Sequence, residues 1–157
     1  MRREERIERV GKVLSDNEVG SAIPHIDQAN DYRDMVEWYL DGLDILGYEL
    51  NLANERENSQ LNFHEVEYLS ELQHENMFDI LSEKGWTYSD TFNQERRRSP
   101  YLRHWNELPY SMKERHRNIV RSFVPTVEKA GYKINRSKSA VGEEKFNSPD
   151  RYKWFDE

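Results

Sequence analysis

The chain has 157 residues, 36% hydrophobic and 34% charged, with 23 Lys/Arg against 30 Asp/Glu and a formal net charge of −7. That length suits one ordinary domain with one core, and nine Tyr, six Phe and four Trp argue against disorder despite the charge. The lack of cysteine excludes disulfides and thiolate metal sites, and the acidic balance disfavours a nucleic-acid polymer, whose affinity comes mainly from neutralised phosphates.

The opening Met1-Arg2-Arg3-Glu4-Glu5-Arg6 has basic groups with no apolar segment behind them, unlike a secretory signal. No apolar run is long enough for a membrane span, so a cytoplasmic location without a membrane partner is expected. Ile7, Val10 and Leu14 recur at helical spacing and predict an amphipathic helix over 2–15. After a loop with Gly20 and Pro24, Asp27 is a candidate N-cap for a second helix over 28–46, with Met35, Val36, Tyr39, Leu40, Leu43 and Leu46 as its stripe. Gly47 stands where a C′ glycine ends a helix.

The polar stretch 51–60 reads as a loop. Asn62 and Glu65 have capping-box spacing and open a long third helix to about Lys84, through Val66, Leu69, Leu72, Met77 and Ile80. Residues 85–110 combine Gly85, Pro100 and Pro109 with Trp86, Tyr88, Phe92, Tyr101 and Trp105. This is the composition of a packed, ordered loop rather than a linker. Ser111 and Glu114 form a second capping-box pair before a helix over 112–130, in which Pro125 is expected to kink or split the backbone. No substantial sheet is expected. The reading is an all-α domain of about four main helices over 1–134, with a polar tail, 135–157, whose Phe146, Tyr152, Trp154 and Phe155 could dock on the body.

Two longer-range patterns stand out. Residues 1–95 hold 8 Lys/Arg and 22 Asp/Glu, whereas residues 96–121 hold 8 Lys/Arg and 2 acids. Such a basic segment is either a landing site for a small anion or a partner for the acidic helices around it. The second pattern is an internal repeat. A shift of 84 residues lays Arg33, Val36, Tyr39, Leu43, Gly47, Tyr48 and Leu50 on Arg117, Val120, Phe123, Val127, Gly131, Tyr132 and Ile134. Two similar helical halves are expected, the first lacking the aromatic loop.

Between Leu69 and Tyr132 the motifs fall into a further order: Glu71-x-x-His74-Glu75, Gly85-Trp86-Thr87-Tyr88, Pro100-Tyr101-Leu102, Trp105, Leu108-Pro109, Lys113-Glu114-x-x-Arg117, Pro125 and Gly131-Tyr132. This set resembles the ryanodine receptor repeat family in its stand-alone prokaryotic or phage type, most clearly over 69–132, with a half-repeat at 24–50. The chain departs from the family pattern at Met77, Leu81, Ser89-Asp90, Phe92-Asn93-Gln94 and His116, which lie around the presumed pocket. The resemblance implies a ligand-binding domain. Such repeats are associated with adenine-nucleotide binding in animal channels, and stand-alone relatives look like sensors or captors of nucleotide-derived signals in phage defence or anti-defence.

The candidate ligand-binding residues are Glu71, His74, Glu75, Trp86, Tyr88, Trp105 and Arg117. Each has a plainer alternative. His74 either bonds a ligand or bonds a backbone carbonyl. Trp86 and Tyr88 either stack on a planar base or pack in the core. Arg117 either forks onto an anionic group or, like its counterpart Arg33, pins its helix to an acidic neighbour. Lys113 and Arg121 continue a basic stripe that suits a solvated helix face, and Arg96-Arg97-Arg98 suits an exposed loop.

Together these residues are expected to hold a small anionic, nucleotide-like ligand, without catalytic residues, cofactor or metal. Phosphate-cradling glycine loops and HExxH are absent, and the five histidines are scattered. An enzyme acting on nucleotides is the weakest reading, and a protein–protein interaction module without a ligand is the alternative. With no recognisable effector segment, such a module is expected to act by sequestration or through an effector protein in trans. It could complete its pocket as a homodimer.

Overall fold

The computed structural model describes residues 3–16, 32–52 and 59–136. In chain order these form α1 (Arg3–Asp16), α2 (Tyr32–Leu46), β1 (Tyr48–Leu52), α3 (Phe63–Glu83), β2 (Thr87–Tyr88), β3 (Arg98–Ser99), a 3₁₀ turn (Trp105–Glu107), α4 (Tyr110–Lys129) and β4 (Tyr132–Arg136). The domain is mostly helical, as the 3.6-residue periodicity predicted. The proposed Asp27 cap and the tail aromatics Phe146, Tyr152, Trp154 and Phe155 lie outside the described residues.

The apolar stripes meet in one core. Ile7, Val10 and Leu14 of α1 are buried with Met35, Val36 and Leu43 of α2, Leu69 and Met77 of α3, and Val120 and Phe123 of α4. Helix α1 packs on α2 and α4, and α3 packs on α2 and α4. The α2–α3 crossing is close because Gly42 carries no side chain. A Cβ there would drive into the Leu69 Cδ2 methyl.

Asn62 caps α3 as its spacing predicted. Its side chain accepts from the Glu65 amide at 2.9 Å, and the Glu65 carboxylate accepts from the Asn62 amide at 2.8 Å. Glu65 is fully buried, and the same carboxylate takes the Tyr48 hydroxyl at 2.8 Å and Arg136 at 3.3 Å. One capping residue thereby ties α3 to both β1 and β4.

Three expectations are corrected. Ser111 and Glu114 form no capping box: α4 starts at Tyr110 with Pro109 as N-cap, whose carbonyl accepts the Met112 and Lys113 amides. Glu114 turns instead to Arg117 and Arg121. Pro125 does not split α4, which runs on to Lys129, with the Thr126 hydroxyl bonded to the Ser122 carbonyl at 2.8 Å. Finally, Asn135 and Arg136 belong to β4 and not to a tail.

The 84-residue repeat is visible in three dimensions. Each half ends as helix, positive-φ glycine and strand: α2, Gly47 (φ 87°), β1 and α4, Gly131 (φ 95°), β4. Those φ values favour glycine, which lets each chain reverse straight into a strand. The two strands pair antiparallel, with Leu50 opposite Ile134, residues equivalent under the repeat. Other equivalents also touch. The Asn51 amide bonds the Asn135 side chain at 3.1 Å, and the Tyr39 and Phe123 rings lie 4.5 Å apart. A local two-fold axis therefore passes between Leu50 and Ile134. The second sheet is only the two-residue parallel pair of β2 and β3.

Candidate functional site

The segment between α3 and α4 is ordered by burial at separate points. Gly85, at φ 90°, turns the chain off α3, and the Trp86 amide caps back onto the Leu81 carbonyl at 3.0 Å. Trp86, Tyr101, Leu102, Trp105 and Leu108 are all buried. The Arg97 guanidinium bonds the Lys84 carbonyl at 2.5 Å and closes the β2–β3 excursion. Glu75 holds the 3₁₀ turn, accepting from the Trp105 amide at 3.0 Å and facing the His104 imidazole at 3.2 Å.

Where this turn meets α3 and α4 there is a cleft of about 270 Å³ lined by Phe63, His64, Glu67, Glu71, Trp105, Asn106 and Lys113. Phe63, Glu67 and Glu71 recur every four residues, so one face of α3 forms a wall. Lys113, on the first turns of α4, brings its ammonium to 5.5 Å from the centre of the Trp105 ring, within cation–π range.

Arg117 sits behind this cleft. It makes two bonds to Glu67, at 2.6 and 3.0 Å, and a third to Glu114 at 3.2 Å. Its guanidinium also lies 5.7 Å from the ring centres of both Trp105 and Tyr110. The hydrogen bond it donates to Glu67 holds its pKa above the ordinary arginine value, against the opposing effect of burial. In the other half, Arg33 faces Glu8 of α1 at 3.4 Å, both exposed. The repeated arginine thus joins the two helices of each half, and the second copy is the buried one.

Of the expected site residues, the structure brings Glu71 and Trp105 to the cleft, with Glu75 and Arg117 supporting it. His74 is fully buried behind Trp105, its ring 6.0 Å from the indole and its Nε2 2.6 Å from the Arg103 carbonyl. Burial pushes its pKa below the usual imidazole value. Trp86 and Tyr88 do not line this cleft. Trp86 is a core residue stacked on Phe92 at 5.9 Å, and Tyr88 is part-exposed, bonded to Asp90 and covered by the Arg103 guanidinium at 4.6 Å.

The family model for the RyR domain matches residues 57–136. The chain belongs to the RyR domain family. The matched segment begins before α3 and ends with β4, so it takes in the cleft, the aromatic loop and the sheet strand that closes the domain. No curated protein matches the sequence. Within this RyR domain, Phe63, His64, Glu67 and Asn106 were not singled out from the sequence. For Phe63 and Glu67 the signal was their four-residue recurrence with Glu71 along α3, which the adjacent apolar stripe obscured; His64 and Asn106 carried no such signal.

Proposed function

We propose that this RyR domain is a binding module for a small planar, anionic ligand of the nucleotide class, held in the Trp105 cleft and released chemically unchanged. The observation that carries this reading is the Lys113 ammonium beside the Trp105 ring at the edge of a cleft that also offers carboxylates and an amide. Trp105, 3% exposed, supplies an apolar floor, and a cation with a few placed hydrogen-bonding groups at its rim is what a compact polar ligand needs. Because Glu67 already holds the fork of Arg117, the anion contact falls to Lys113. Such a module would act by sequestering its ligand or by reporting to an effector in trans.

A thermal-shift screen against mono-, di- and cyclic nucleotides tests this, since a selective ligand raises apparent stability by mass action. For the best ligand, Lys113→Ala should weaken binding by about 1.5–3 kcal/mol, the range of a charge-assisted hydrogen bond. Arg96→Ala, on the exposed loop, should change it little at moderate salt. Binding that ignores Lys113, or nucleotide turnover by the protein, would refute the proposal.

A second reading has one specific observation in its favour. Phe63, on the cleft wall, is 64% exposed, and Tyr110, stacked on Arg117 nearby, is 72% exposed. Large aromatics left in water beside a concave site also suit a protein–protein contact. Loss of a partner interaction in Phe63→Ser without loss of nucleotide binding would favour that reading.

A further inference from the structure

The turn that carries Trp105 is fastened to α3 and α4 through a chain of imidazoles. His74 and His116 are both fully buried. Nε2 of His74 lies 2.6 Å from the Arg103 carbonyl, Nδ1 of His74 lies 3.0 Å from Nε2 of His116, and Nδ1 of His116 lies 3.3 Å from the Gln73 side-chain amide.

The proton positions follow from what each atom can do. A carbonyl only accepts, so Nε2 of His74 carries hydrogen. With that ring neutral, its Nδ1 accepts and Nε2 of His116 donates. Nδ1 of His116 is then an acceptor, which needs the Gln73 nitrogen. With the Gln73 oxygen placed there instead, its Nε2 is buried without a partner among the described residues and two acceptors face each other. The consistent arrangement runs one way, from Gln73 through His116 and His74 to the Arg103 carbonyl, with both imidazoles neutral.

We propose that the His74–His116 pair is an acid-sensitive latch, whose protonation releases segment 99–109, and Trp105 with it, from α3 and α4. A proton added to Nδ1 of His74 sets two N–H groups face to face unless the His116 hydrogen moves to Nδ1, where the Gln73 oxygen can accept it. A proton added to Nδ1 of His116 can be matched by turning the Gln73 amide, but it leaves a cation sealed from water.

The Arg103 carbonyl and the Glu75 carboxylate favour a charged His74, but burial outweighs them. On α3, Glu71 lines the cleft and Glu75 is engaged by the Trp105 amide and His104. On the loop, the Arg103 guanidinium lies over Tyr88, His104 is a second imidazole, and Tyr101 and Trp105 present rings at 5.8 and 5.9 Å from His116. On α4, Lys113 and Arg117 lie against Trp105, and Arg115 bonds the Tyr101 hydroxyl. On α4 the charges against Trp105 are the cations Lys113 and Arg117, which oppose a further positive charge, while Glu114 is engaged by Arg117 and Arg121.

An imidazole exposed by opening has its ordinary pKa of about 6.5, whereas burial holds that of His74 lower. The open state therefore binds more protons. The stability of the closed loop is fully present above about pH 6.5 and falls about tenfold per pH unit below it for each proton excluded.

Hydrogen exchange of the full ligand-free chain at pH 7.5 and 5.5, corrected for intrinsic exchange, tests the latch independently of ligand binding. Protection of residues 99–109 should fall about tenfold at pH 5.5, while β1 and β4 stay protected. His116→Gln supplies an amide that does not titrate and whose oxygen can accept from protonated His74, so the response should shrink below about threefold. His104→Ala should retain it. Unchanged loop protection in the wild type, or an equal loss throughout the domain, would overturn the latch, as would an undiminished response in His116→Gln. Nitrogen chemical shifts of the wild-type imidazoles give a check without a variant. If both rings take up protons while the Trp105 amide stays protected, the proposal is wrong.

Discussion

Arg117 offers the sharpest test of how this domain is assembled, because it was expected to hold a ligand and its fork is occupied by Glu67. Replacing it with alanine removes three charge-assisted bonds and leaves the Glu67 carboxylate without its partner. Breaking a fully buried pair costs about 3–5 kcal/mol. Here the two side chains keep 11% and 13% of their surface in water, so we expect about 2–3 kcal/mol. At roughly 2–4 °C per kcal/mol for a chain of this size, the melting temperature should drop by about 4–12 °C. Arg117→Lys should recover only part of this, since an ammonium cannot make the two parallel bonds. Arg33→Ala, which removes the exposed counterpart, should cost about 1 kcal/mol or less. Urea unfolding measured alongside nucleotide affinity is the assay. If Arg117→Ala unfolds at the wild-type denaturant concentration but fails to bind, the arginine is a ligand contact and not a tie between α3 and α4.

Two other outcomes follow from the core. Gly42→Ala should lower stability by about 1–3 kcal/mol, because its methyl would drive into the buried Leu69 side chain; an unchanged melting temperature would mean that α2 and α3 separate at little cost. Tyr39→Phe should be neutral or stabilising by up to about 1 kcal/mol, because the Tyr39 hydroxyl is buried without a partner among the described residues. A clear loss of stability in chemical denaturation would show that the hydroxyl is bonded after all.

Much of this arrangement was legible where a local rule and the global packing agree. The Asn62–Glu65 cap could be read from spacing alone, because both of its bonds close within one turn. The repeat was legible because Gly47 and Gly131 occupy the same place after their helices. The Ser111–Glu114 pair satisfied the same capping spacing and failed, since Pro109 starts the helix earlier and two arginines compete for Glu114. For Trp86 and Trp105, composition could not separate core from cleft. Both are buried large aromatics in the same loop, and only the turn held by Glu75 brings Trp105 beside the α3 wall. His116 was noticed as a departure from the family pattern, but its bond to His74 spans 42 residues and leaves no local trace.

The strand pairing between the two halves has a further consequence. In a symmetric homodimer, a strand crossing the axis meets its own copy, and the strength of the contact depends on concentration. In this chain Leu50 meets Ile134, its equivalent within the same molecule, so the domain has the geometry of an isologous dimer whose subunits are covalently joined. Tethering replaces bulk concentration with an effective one set by the connecting segment. It also frees the halves to diverge, so that one can keep an exposed Arg33–Glu8 pair while the other buries its Arg117–Glu67 pair beneath a cleft.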